Sequence, residues 1–150
     1  MVNALVDLIN ENDGRMTTGF LGTPYILHAL SNNNNNKSKE AYDLLFQENN
    51  PSWLFSVNMG ATTMWEHYDG INEVGEFWSK DMNSFNHYAY GAVYDWIFSN
   101  AVGIKMLKPK YEEILIKPII DKRLGFVCGS YLLDTGKISV KWYFNDNALI

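Results

Sequence analysis

Two stretches hold the side chains best suited to chemistry: Gly60-Ala61-Thr62-Thr63-Met64-Trp65-Glu66-His67-Tyr68-Asp69-Gly70 and Met82-Asn83-Ser84-Phe85-Asn86-His87-Tyr88-Ala89-Tyr90-Gly91. In the first, Glu66 lies among Met64, Trp65 and Tyr68. A carboxyl group crowded by apolar rings loses hydration, which disfavours its charged form and suits it to proton transfer. Aromatic faces beside an acid, such as that of Trp65, also suit carbohydrate rings, whose C–H faces stack on them while acids and amides hold the hydroxyls. On residue types alone the plainer reading is favoured, with Glu66 a solvated loop acid and His87 a core histidine whose bonds are satisfied.

What would position His87 is a helix. Phe85, Tyr88, Ala89, Ala92, Val93, Trp96 and Ile97 recur at the spacing that gathers apolar groups on one helical face. Ser84 then serves as N-cap, and a long buried helix runs toward Gly103. His87 falls in its first turn, where the helix dipole disfavours a protonated imidazole. A neutral imidazole both donates to and accepts from hydroxyl groups.

Upstream, the pattern is of short helices. Val2, Leu5, Val6, Leu8 and Ile9 fit the end of an amphipathic helix closed by Asn12-Asp13-Gly14. Thr23 is a candidate cap with Pro24 at the first helical position, opening a helix through Leu30 that carries His28 on its surface or in the core. Ser31 to Lys37, with five consecutive asparagines, reads as a polar connector. Ser38 is expected to cap a helix bearing Ala41, Tyr42, Leu44, Leu45 and Phe46, and another begins at Pro51 or Ser52 and stops by Gly60. The stretch from Gly60 to Asp81 breaks this rhythm and has the composition of a functional loop. Asp69 in it is a supporting acid or a turn former beside Gly70.

Beyond Gly103 the period changes to that of strands. Glu113 to Lys117 is one, and Phe126 to Leu133 and Lys137 to Phe144 flank the hairpin signal Asp134-Thr135-Gly136. Ile138, Val140, Trp142 and Phe144 alternate with Lys137, Ser139, Lys141 and Tyr143, which predicts one buried and one wetter side. The pattern places a domain boundary near residues 105–110, dividing the chain into 1–107 and 108–150.

Composition sets the outer bounds. With 47% hydrophobic residues over 150 positions, one ordinary core is within reach. A net charge of −5 with scattered Lys and Arg argues against a nucleic-acid surface. No apolar run approaches the roughly 18 to 20 residues that span a bilayer, so no membrane partner is expected. Cys128 is the single cysteine, so no intrachain disulfide forms; this favours a reducing, cytoplasmic setting. No Cys/His cluster has zinc spacing, and neither metal nor other cofactor is expected. A phosphate-binding glycine loop, a Gly-x-Ser-x-Gly elbow and a His-Glu-x-x-His helix are all missing from the sequence.

Four blocks taken in order say more. Thr18-Gly19-Phe20-Leu21-Gly22-Thr23-Pro24-Tyr25, Pro51-Ser52-Trp53-Leu54, Gly60-Ala61-Thr62-Thr63-Met64-Trp65-Glu66 and Met82 through Val93 together resemble the C-terminal part of bacterial α-L-rhamnosidases, glycoside hydrolase family 78. The resemblance implies a mainly α fold with a β C-terminal part, namely the C-terminal portion of an (α/α)6 barrel followed by an incomplete antiparallel β-sandwich. It implies that Glu66 is the general base activating water in an inverting hydrolysis of terminal α-L-rhamnose, and that His87 contacts the sugar; Trp65 is a candidate for the same sugar on its aromatic face alone. The family's general acid lies well upstream and has no counterpart here, so the chain alone is expected to be inactive. A truncated barrel would leave apolar faces open to self-association. The alternatives are a non-catalytic carbohydrate-binding or interaction module, or another (α/α)6 glycosidase.

Overall fold

The computed structural model describes residues 2–31, 37–146 and 148–150. Of the polar connector expected from Ser31 to Lys37, the five asparagines lie outside them. The chain divides into two compact units, Met1–Val93 and Tyr94–Ile150.

The first unit is helical, and its helices form where apolar spacing and stop signals coincide. Helix α1, Val2–Glu11, buries Ile9 and ends as expected at Asn12-Asp13-Gly14, where the Gly14 amide donates to the Ile9 carbonyl at 2.9 Å. Helix α2, Thr23–Ser31, buries Ile26, Leu27 and Leu30 and packs on α3, Ser38–Leu45, which buries Ala41, Tyr42 and Leu44. Helix α4, Trp53–Asn58, is capped by Ser52, whose buried Oγ accepts from the Phe55 amide at 3.0 Å. A cap of that kind contributes about 1 kcal/mol.

Two expected caps are corrected. The amides of Tyr25 and Ile26 donate to the Gly22 carbonyl, so Thr23 already lies inside the first turn and its hydroxyl turns back to donate to the Thr18 carbonyl at 3.1 Å. Ser38 is likewise the first residue of α3, with Lys37 at the N-cap.

The expected long helix from Ser84 starts later. Residues 84–88 are not helical, because their backbone groups are taken by the 63–66 segment. The Glu66 amide donates to the Ser84 carbonyl at 3.0 Å, the His87 amide donates to the Met64 carbonyl at 2.8 Å, and the Thr63 hydroxyl donates to the Phe85 carbonyl. A helix would need those same groups for itself. Helical structure begins only at Ala89, as a 3-10 turn, Ala89–Ala92, then α5, Val93–Trp96, then a π-helical stretch, Ile97–Val102. Tyr88, expected on the buried face, is 89% exposed.

In the second unit the π-helical stretch ends at Gly103 with φ of 84°, its amide donating to the Phe98 carbonyl at 3.1 Å. Left-handed backbone at a helix end favours glycine, and here a Cβ would also sit 2.2 Å from the nitrogen of Pro118. Strands β1, Ile104–Met106, and β2, Ile114–Ile116, pair antiparallel. Strands β3, Phe126–Leu133, and β4, Gly136–Asn145, form a hairpin through Asp134-Thr135, and β5, Ala148–Leu149, pairs on the far side of β4. The alternation read from the sequence holds: Trp142 is buried, Ile138, Val140 and Phe144 are half-buried, and Lys137, Ser139, Lys141 and Tyr143 are exposed. Trp142 anchors the sheet to the helical turn, its indole N–H donating to the Ala101 carbonyl at 2.8 Å. Beside it, buried Asn100 is satisfied on both sides, its amide NH₂ donating to Ser99 Oγ and its side-chain carbonyl accepting from Lys105 Nζ at 2.9 Å.

Candidate functional site

Glu66 and His87 lie on the two segments stitched together by those backbone bonds. The register is fixed at both ends, so neither residue moves without breaking main-chain hydrogen bonds. Glu66 is half-buried, and among the described residues its carboxylate has no hydrogen-bond or ion-pair partner. Its charge reaches Tyr90: the phenol's pKa is raised first by burial and next by the Glu66 carboxylate, which opposes a second negative charge nearby.

His87 is not in a helical turn, so the dipole argument for its charge state falls away. Its Nδ1 instead accepts from the Ala89 amide at 3.3 Å, which leaves the proton of a neutral ring on Nε2. The ring is stacked on Phe20, with centroids 4.6 Å apart and 20° between planes. Phe20 meets Tyr90 edge-on at 5.0 Å, and Tyr90 stacks on Tyr68 at 4.2 Å. The loop before α2 is thereby joined to both chemistry-bearing segments by an aromatic chain.

Trp65 is buried and packs edge-on against Phe85, with centroids 5.3 Å apart. It stiffens the peptide that carries Glu66 and offers little free ring face. Asp69 sits in the turn closed by the Gly70 amide on the His67 carbonyl, and its carboxylate accepts from the Asn50 side-chain amide at 3.3 Å. Of the two roles read for it, the turn is the one these contacts describe.

A cleft of about 330 Å³ opens beside these residues, lined by residues 16–19, Asn50, Pro51, residues 67–69 and Tyr90. Glu66, His87 and Trp65 are not in its wall; Tyr90 connects the cleft to the charge of Glu66. Sequence reasoning passed over Tyr90, His67 and Phe20. His67 stacks on Trp78 at 3.6 Å, and its position directly after Glu66 was the one available signal. For Phe20 and Tyr90 the signal is tertiary, since their partners are far away along the chain.

The Tyr68 hydroxyl is buried and has no hydrogen-bond partner among the described residues. Burial pushes its pKa far up, and stacked Tyr90 adds to the shift. The Thr23 hydroxyl opposes it, but is committed to Thr18 at 2.9 Å.

Helical segments are followed by antiparallel strands, and Glu66 sits on an ordered loop among aromatic rings. Residues 1–101 match the bacterial alpha-L-rhamnosidase 6 hairpin glycosidase domain, and residues 103–149 match the bacterial alpha-L-rhamnosidase C-terminal domain. The chain belongs to the bacterial α-L-rhamnosidase family. It is 38% identical over 138 residues to an α-L-rhamnosidase of Alteromonas sp. (strain LOR), covering 92% of this chain. It superposes on the Streptomyces avermitilis α-L-rhamnosidase complexed with L-rhamnose with a TM-score of 0.91 at 36% identity, covering 98% of this chain and 14% of that one. The native α-L-rhamnosidase from Aspergillus terreus is similar at a TM-score of 0.87 and 35% identity, covering 93% of this chain and 16% of that one. The chain spans 13% to 15% of the length of the curated relatives it matches.

Proposed function

We propose that the chain is the C-terminal portion of the catalytic region of an inverting α-L-rhamnosidase, with Glu66 as general base and His87 as a ligand of the rhamnose ring. The observation that carries this reading is the pairing of residues 63–66 with 84–87, which holds the acid and the imidazole on adjacent peptides. An unpaired, half-buried carboxylate is suited to take a proton from water, and an imidazole with its Nδ1 occupied by backbone is left to donate from Nε2 to a sugar hydroxyl. Trp65 in this reading serves the substrate by fixing the Glu66 peptide.

Inversion needs a second carboxyl group roughly 6.5 to 9.5 Å from the first, so that water fits between the base and the anomeric carbon. This reading puts that acid outside the chain, and the share of the relatives that the chain spans fits a donor elsewhere in a longer enzyme. Residues 1–107 then belong to an (α/α)6 barrel and residues 108–150 to a β-sandwich, with rhamnose-containing glycosides as substrates. The test is Glu66→Gln in an enzyme that contains this chain together with the missing acid. Hydrolysis of an aryl α-L-rhamnoside should fall by roughly 10²–10⁴-fold with the fold unchanged. Wild-type turnover by that variant would remove Glu66 from the role.

A further inference from the structure

The second unit holds a cavity of about 430 Å³ between the β3–β4 turn and the 3-10 turn Pro109–Tyr111. Its wall includes Tyr111 and Tyr131, stacked with centroids 4.9 Å apart and 29° between planes, and Tyr131 meets Phe98 edge-on at 5.9 Å. Lys110, Asp134 and Thr135 complete its polar side. Lys110 and Tyr111 are consecutive non-glycine residues with φ of 59° and 58°. Two left-handed side-chain-bearing residues in succession persist only where the surroundings over-determine them, and such backbone gathers at binding sites.

The chemistry of this wall selects a ligand. Asp134 only accepts, Lys110 only donates, and the hydroxyls of Thr135 and the two tyrosines do both. Among the described residues neither Lys110 nor Asp134 has an ion-pair partner. A charged ligand would meet both signs, whereas a ring with hydroxyls at its edge and an apolar C–H face meets a partner at every position. The volume falls in the range of small-molecule sites.

We propose that this cavity is a second, non-catalytic site for one neutral pyranose ring, stacked on the Tyr111–Tyr131 pair and held at its hydroxyls by Asp134, Lys110 and Thr135. The choice of sugar as ligand rests on the glycosidase reading above; the location does not depend on Glu66 being the base.

The test is an amide chemical-shift titration of the full 150-residue chain with methyl α-L-rhamnopyranoside, and separately with methyl glucoside and methyl galactoside. Saturable shifts are expected at Lys110, Tyr111, Tyr131 and Asp134. Tyr131→Ala should weaken them roughly tenfold, the scale of one lost aromatic contact, and Glu66→Gln should leave them unchanged. If Tyr131→Ala does not fold, Tyr131→Phe, which keeps the stack and loses a hydroxyl, together with the wild-type shift map, decides the matter. Shifts confined to residues around Glu66 and lost in Glu66→Gln would overturn this site while supporting the catalytic one. No saturable shift at the cavity with any of the three glycosides would overturn it outright.

Discussion

Phe20 lies flat against His87, with ring centroids 4.6 Å apart, although the two are separated by most of the helical unit in sequence. The stack sets the angle at which the imidazole is presented. In a complete enzyme, Phe20→Ala should raise KM for an aryl rhamnoside about fivefold, in line with roughly 1 kcal/mol for an aromatic contact, with a smaller effect on kcat. In the isolated chain the same change should move the His87 ring-proton resonances downfield as the ring current is lost. Unchanged resonances would mean that the stack does not persist in solution.

On the proposed reading, in which the general acid lies outside this chain, the isolated chain should release product from aryl α-L-rhamnosides at trace rates at most, since loss of a general acid removes roughly 10²–10⁴-fold of rate. Robust turnover by this polypeptide would contradict the account of a donor outside it.

Tyr68→Phe removes a buried hydroxyl that has no hydrogen-bond partner among the described residues. An orphaned buried polar group costs stability, so the variant should be as stable as the wild type or better by about 1 kcal/mol in urea unfolding. It should also change the alkaline limb. The folded pKa of Tyr68 lies above its unfolded value near 10.0, so its contribution is complete below that value and is lost as pH rises beyond it, where only the unfolded chain gives up the proton. The phenylalanine variant should lose stability less steeply above pH about 10 than the wild type.

Gly103→Ala should cost about 2–4 kcal/mol, since it combines a left-handed backbone angle with a Cβ set against the backbone of Pro118, which has no flexible end to move. Thermal denaturation of the two forms measures the difference.

Leu21 is 90% exposed, Tyr25 70% and Val74 77%. Sedimentation should find the isolated chain self-associating through such residues, and a strictly monomeric species would contradict this expectation. Lowered salt should not reverse the association if it is apolar in origin.

How much of this was legible in the sequence depends on how local each cause is. The β3–β4 register follows from Asp134-Thr135-Gly136 and a period-two pattern, both contained within twenty residues or so, and it formed as expected. The start of α4 is nearly as local: it is expected at Pro51 or Ser52 and falls at Trp53, with Ser52 turning out to be its cap. The start of the helix at Ala89 was not legible, because Phe85 and Tyr88 do fit a helical face; only the competing partners at Met64, Glu66 and Thr63 show why that face is not used. Trp65 was legible as an aromatic beside an acid, but its burial against Phe85 was not. The cleft wall drew on Phe20-linked Tyr90, Asn50 and Met16, residues joined by tertiary structure alone.

The helical run from Ala89 to Val102 changes pitch twice, ending in a π-helical stretch. A wider turn is what an α-helix becomes when it carries a surplus residue. Losing one residue between Ile97 and Val102 would let the turn relax to ordinary α-helix and swing the Ala101 carbonyl away from the Trp142 indole that it accepts from. Length at this point is therefore as constrained as identity, and insertions or deletions that the surface turns of this chain would absorb are expected to be excluded here.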